Sequence, residues 1–85
     1  MNFTDILGYA AGAVTTFTFL PQVIKTWKEK SAKKISLLMF VIAVTNEIMW
    51  IVYGILLNNW VIILTNSVLM VMALTMIYFK LTFKQ

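Results

Sequence analysis

The chain has 85 residues, 61% of them hydrophobic and 12% charged, with a formal net charge of +4 and a mean hydropathy of +0.88. Globular domains average roughly 45–50% apolar and ~25% charged residues, so a water-soluble fold of this length is excluded: it has no interior large enough to hide the excess. Cysteine and histidine are absent, which rules out disulfides and leaves no thiolate or imidazole ligand; no metal or cofactor is expected, and no set of nucleophile, base and metal can be assembled for an enzyme.

Three apolar runs, 5–27, 35–57 and 60–81, each hold about 22 residues, enough to cross a ~30 Å hydrocarbon core at ~1.5 Å per residue. The first run contains the small residues "YAAGA", but no basic residue precedes it and the apolar stretch continues well past them, so it reads as a retained helix and not as a cleaved signal. The "NFT" at Asn2 fits a glycosylation sequon, yet it lies almost against the membrane and reads as chance. Along this helix Gly8, Ala11, Gly12, Thr15, Thr18 and Gln22 recur mostly at spacings of three and four. Such a stripe of small and polar side chains suits close helix packing. Pro21 interrupts the run near its end. It removes a backbone donor and frees the Phe17 carbonyl, so the helix can bend there if another group satisfies that oxygen. Gln22 is the candidate partner, and the Pro21–Gln22 pair reads as a hinge.

The segment after the first run is rich in lysine. With three helices it shares a side with the C-terminus, and all seven lysines, Lys25, Lys28, Lys30, Lys33, Lys34, Lys80 and Lys84, fall on that side. The opposite side, with residues 1–4 and the turn at Asn58 and Asn59, has none. By the positive-inside rule the lysine side is cytoplasmic and the N-terminus is outside. This asymmetry accounts for the basic charge through topology, so anionic lipid and not nucleic acid is the expected partner.

The second run carries Asn46 and Glu47 at mid-membrane, with Trp50 roughly 6 Å and Tyr53 roughly 10 Å further outward. Asn46, Trp50, Tyr53 and Gly54 share one face at spacings of three and four. The third run follows after about two residues, so the two helices form a tight antiparallel hairpin, and Asn66 falls roughly 6 Å outward of its midpoint, at the depth of Trp50. An aromatic belt would explain most membrane tryptophans and tyrosines. Trp50 lies too deep for that, and its indole N–H needs an acceptor. An indole with an amide offers what a sugar uses: a flat apolar surface for C–H groups and a paired donor and acceptor for hydroxyls. The other reading of Asn66 is a hydrogen bond between helices, worth about 0.6 kcal/mol on average. Glu47 would cost on the order of 3 kcal/mol facing lipid, so it is expected to face the bundle interior or a subunit contact, or to be neutral, with a threonine or asparagine of a neighbouring helix as its hydrogen-bond partner.

The segments "FLPQVIKTWKEKSAKKIS" and "MWIVYGILLNNWVIILTN", with the three-helix length, resemble the SemiSWEET sugar transporters, the bacterial half-size members of the PQ-loop group. The likeness covers essentially the whole chain. It implies an all-α membrane protein, a three-helix bundle with the third helix between the other two, assembled as a parallel homodimer of six helices around a central site. In that scheme Trp50 and Asn66 of both subunits hold a mono- or disaccharide, and Tyr53 and Asn59 stand at the outer gate. Met39 and Phe40 stand at the inner gate, and Pro21–Gln22 lets the inner side open. The chain departs from the pattern in two places. Leu57 and Asn59 occupy positions where relatives often carry an arginine and an aspartate, and Asn46 and Glu47 replace apolar or small residues.

Three helices cannot surround a path of sugar width, so transport requires an oligomer. The leading expectation is a passive sugar carrier of the inner membrane working by alternating access. The alternatives are a proton-coupled carrier of another small solute that uses Glu47, and a small membrane subunit that only packs against a partner.

Overall fold

The computed structural model describes residues 2–83. Met1 and Lys84, placed above at the two opposite sides of the membrane, lie outside the described residues. Three helices account for nearly all of the chain: α1 (Phe3–Glu29), α2 (Leu37–Leu56) and α3 (Trp60–Thr82). Each is long and apolar enough to cross a membrane. Against the expected bounds, α1 is two residues longer at both ends and α2 slightly shorter, because caps and not hydropathy set where the helices stop.

Those caps are all local. Asn2 Oδ1 accepts from the Asp5 N–H (2.8 Å) and Ser36 Oγ accepts from the Met39 N–H (3.3 Å), opening α1 and α2. Using Asn2 as a cap gives it a structural role in the place of the sequon reading. The α2–α3 turn joins a helix end to a helix start over three residues. Asn58 takes the left-handed conformation (φ 55°), its N–H donates to the Ile55 carbonyl, and the Asn59 N–H donates to the Gly54 carbonyl at 2.8 Å. This is the Schellman arrangement, with asparagine in the position usually held by glycine. The Asn59 side chain then caps α3, Oδ1 accepting from the Val61 and Ile62 N–H groups at 3.1 and 3.3 Å. The short, doubly bonded turn forces the antiparallel hairpin.

Helix α3 is central: α1 packs on it from one side and α2 from the other, and α1 and α2 do not pack on each other among the described residues. The result is a slab 46 × 22 × 13 Å, close to one helix layer thick. Glycines set both contacts. A Cβ on Gly8 would come within 2.5 Å of Val61, and one on Gly12 would overlap Thr65. A Cβ on Gly54 would meet Ile62 at 2.9 Å and Ile63 at 3.1 Å. The small-residue stripe of α1 is thus a packing seam: with lipid outside, no hydrophobic drive joins helices, and close approach of backbones supplies the contact energy.

Because α3 separates α1 from α2, the 30–36 loop must cross the end of α3. It is pinned there. Ala32 is fully buried against Met76 and Phe79, with Val23, Ile35, Phe40 and Phe83 around them. The Lys80 ammonium donates to the Ala32 carbonyl at 3.1 Å. Lys30 caps α1 in the left-handed conformation (φ 53°) and lays its ammonium 4.6 Å from the Trp27 ring centroid, while Phe79 and Phe83 stack at 4.8 Å. All described lysines gather at this end of the bundle.

We expect Gly12→Leu to lever α1 off α3. Overpacking typically costs about 1–3 kcal/mol, so the unfolding midpoint of detergent-solubilised protein should fall by on the order of 5 °C or more. Thr65→Ala should recover much of the smaller loss caused by Gly12→Ala. An unchanged midpoint in Gly12→Leu would mean that α1 does not pack through this seam.

Candidate functional site

The polar side chains within the helices fall into two groups. The hydroxyls are already committed. Thr15, Thr16, Thr18, Thr26, Thr45, Thr65, Ser67 and Thr75 each donate to the carbonyl four residues earlier, at 2.6–3.0 Å. Each such bond uses the hydroxyl's only donor. The amides, the indole and the single mid-helix carboxyl remain for function.

On α2, Trp50 and Tyr53 sit one turn apart with their rings edge to face, centroids 5.4 Å apart at 86°. Together with Asn46 and Met49 they line a groove of about 340 Å³ on the open surface of the subunit. Trp50 is 45% and Tyr53 50% exposed, although both lie within a membrane-length helix. Apart from their contact with each other, about half of each side chain is left uncovered by the described residues. Met49 was not singled out in the sequence, where it looks like any lipid-facing methionine; its position next to Trp50, one residue before it on the same turn, was the available signal.

Asn66 is on α3, half-buried, and does not line that groove. The helix register nevertheless puts it at the same level. Gly54 packs against Ile62 and Ile63, and one turn from this contact along each antiparallel helix lie Trp50 and Asn66. The Asn66 amide donates to the Ile62 carbonyl at 2.9 Å in its own helix. Among the described residues the interhelical bond considered for Asn66 is not formed. Its Oδ1 remains an acceptor, held in place by the bond made on the other side of the amide.

Toward the lysine end, two further cavities open. A small one of about 70 Å³ lies among all three helices, lined by Gln22, Phe40, Glu47, Leu69 and Met76 among others. A wide cleft of about 740 Å³ shares Gln22, Phe40 and Met76 with it, includes Met39, and continues outward past Lys25, Lys33 and Lys34. The structure thus brings Gln22, Met39 and Phe40 together at one mouth. Met39 is 69% exposed there, whereas Phe40 packs on the Ala32–Met76–Phe79 cluster. At the other end Asn59 is spent on the turn and the α3 cap, close in sequence to Tyr53, whose carbonyl accepts from the Leu57 N–H.

Two expectations are corrected. Among the described residues no hydrogen bond joins the Gln22 side chain to the Phe17 carbonyl. Five residues beyond Phe17, Gln22 is about 140° round the helix from it, and its amide lies in the cavities facing α2 and α3 while Pro21 sits inside a continuous α1. Glu47 does face the bundle interior, at 9% exposure, but no threonine or asparagine meets it, and its Oε1 has no hydrogen-bond partner among the described residues. The reason is the commitment of the hydroxyls to their own helix carbonyls. The loop anchor at Ala32 and Lys80 was also missed; a lone apolar residue in the polar run "KSAKK" was its signal.

Comparison with known proteins follows the same outline. A PQ loop repeat family model matches residues 3–63. The chain is 40% identical over 76 residues to an uncharacterised protein of Methanocaldococcus jannaschii, covering 89% of this chain and 82% of that one. It is 37% identical over 78 residues to a protein of Leptospira biflexa named sugar transporter SemiSWEET, covering 92% of each. The crystal structure of a bacterial homologue of SWEET transporters superposes with a TM-score of 0.91 at 31% identity, over 98% of this chain and 100% of that one. Proline and glutamine at 21 and 22, a three-helix unit with α3 in the middle, and these likenesses place it plainly: the chain is a multi-pass membrane protein that belongs to the PQ-loop repeat family, in its SemiSWEET group.

Proposed function

We propose that the protein is a passive sugar carrier that works by alternating access as a parallel homodimer, with its N-terminus outside and its lysine end in the cytoplasm. The observation that carries this reading is the unpartnered groove of Trp50, Tyr53, Asn46 and Met49 at the level of Asn66, on a subunit only 13 Å thick. So thin a slab cannot enclose a sugar. Two copies facing each other would close their grooves into one cavity with an indole on each side. Apolar C–H faces of a sugar stack on indole, and the amide of Asn66 pairs with adjacent hydroxyls. Sugar transport by relatives of 37% identity over nearly the whole chain supports the substrate class.

In this cycle Tyr53 and Asn59 lie at the outer end of the path and Met39 and Phe40 at the inner. Among the described residues the outer end carries no ion pair, so its closure rests on aromatic packing and the Asn58–Asn59 turn. The wide cleft beside Gln22 supports an inner end that is parted in this conformation. Pro21 lies within the stretch of α1 that lines this cleft, between Phe19 and Gln22. A helix lacking one donor there bends at lower cost than an uninterrupted one, which suits a segment that must swing to close the inner side. No ion is required for this scheme.

The test is uptake of labelled mono- and disaccharides by purified protein in liposomes. Trp50→Ala and Asn66→Ala should each lower uptake by at least about tenfold, which corresponds to ~1.4 kcal/mol, while membrane insertion and dimer formation persist. Parent-like uptake in both variants would remove the site from these residues.

Pro21→Ala restores a backbone hydrogen bond and should raise thermal stability, yet slow sugar exchange with sugar affinity changed less than flux. Unaltered exchange would make Pro21 a static feature of α1.

A further inference from the structure

The central groove leaves one buried group unused. Glu47 is 9% exposed, sits midway along α2, and points into the small cavity between the three helices of a single subunit. Its Oε1 has no hydrogen-bond partner among the described residues. A carboxylate oxygen left unsatisfied in an apolar interior costs several kcal/mol, so something must occupy the cavity or neutralise the group. At about 70 Å³ the space admits water but nothing of sugar size. Among the described residues Gln22 is the one other polar side chain lining it, and the remainder is apolar. Two polar side chains among phenylalanine, leucine and methionine do not form the oxygen cage that a metal cation requires. They do suit a proton, carried on the carboxyl and relayed by water.

A path to solvent is present. The cavity and the wide cleft share Gln22, Phe40 and Met76, and the cleft opens at the lysine end. The charged groups facing this path are Lys25 and Glu29 of α1 and Lys33 and Lys34 of the loop. From α3, and from α2 apart from Glu47, no titratable group lines either space.

We propose that Glu47 and Gln22 form a proton-binding site inside each subunit, filled from the lysine end, whose occupancy biases how readily the inner cleft closes. The protonated carboxyl donates its O–H to the Gln22 amide oxygen or to a bridging water, joining α2 to the part of α1 just beyond Pro21. The unprotonated carboxyl holds water in the cavity and keeps the cleft wet. Protonation thereby favours closure of the inner side. The transport consequence rests on the carrier reading; proton binding itself does not.

The chain has three acidic residues, Asp5, Glu29 and Glu47. In the variant Asp5→Asn/Glu29→Gln, Glu47 is the only side-chain carboxyl, so infrared spectroscopy of the protein in liposomes reads it directly. Between about pH 5.5 and about pH 9, a window above the titration of the C-terminal carboxyl and within that of buried carboxyls, we expect a protonated-carboxyl band that rises and falls reversibly and vanishes when Glu47→Gln is added. A band that does not change across this range, or one that survives Glu47→Gln, overturns the proposal. In parallel, sugar exchange by the parent should vary at least about threefold across the range at which the band titrates. In Glu47→Gln, which keeps size and hydrogen-bonding capacity, that dependence should flatten. An identical pH profile in parent and Glu47→Gln also overturns it. Should the parent move no sugar at all, the carrier reading fails while the infrared measurement still decides whether Glu47 binds a proton.

Discussion

Everything in this subunit depends on α3 standing between α1 and α2. Among the described residues the backbones of α1 and α2 do not approach each other, so each outer helix is seated chiefly on α3, and the close contacts are made by glycines that admit β-branched residues of α3: Gly8 and Gly12 against Val61 and Thr65, Gly54 against Ile62 and Ile63. In lipid the alternative to such contacts is equally apolar, and association relies on the closeness of backbones. A one-layer slab follows, too thin for one subunit to enclose a space of sugar size. The same order of helices makes the 30–36 loop travel across the end of α3, where buried Ala32 and the Lys80–Ala32 bond tie it down.

That anchor has a functional side. It fixes the start of α2, and with it Phe40, to the end of α3, so the two helices and their short turn form one body. Helix α1 is attached to that body along its glycine seam in the first half and, past Pro21, at Val23 against the loop cluster and at the buried Thr26. Pro21 lies between these two attachments. If any part of the subunit is to move without unpacking the rest, it is the stretch of α1 beyond Pro21, which borders the open cleft. The hinge reading thus comes from where α1 is free as much as from the chemistry of proline.

The polar groups divide on a simple ground. A hydroxyl in a helix finds its acceptor four residues back, at no cost in tertiary structure, and Ser67 and the threonines between the first and last turns of the helices do so. An amide has a second partner atom to offer after making that bond, as Asn66 does, and an indole cannot make it at all. Groups that cannot be satisfied locally are therefore those found on the open groove, Trp50 and Asn46, or in the inner cavity, Gln22 and Glu47.

Sequence alone determined the three spans, their hairpin order, the gathering of lysines at one end, and the common level of Trp50 and Asn66. These are consequences of rise per residue and of backbone groups that must pair within their own helix where there is no water. The packing role of Gly8 and Gly12 was legible as a small-residue stripe, though not the residues it meets, and a central third helix entered only through family resemblance. Three matters were decided by tertiary structure. The aim of Gln22 into the cavities and away from Phe17, the lack of a partner for Glu47, and the anchoring of the loop through Ala32 all depend on which surfaces face one another across α3. Helix periodicity sets the face a residue occupies, but the neighbour opposite that face is chosen by shape complementarity between helices distant in sequence, and no local pattern encodes it.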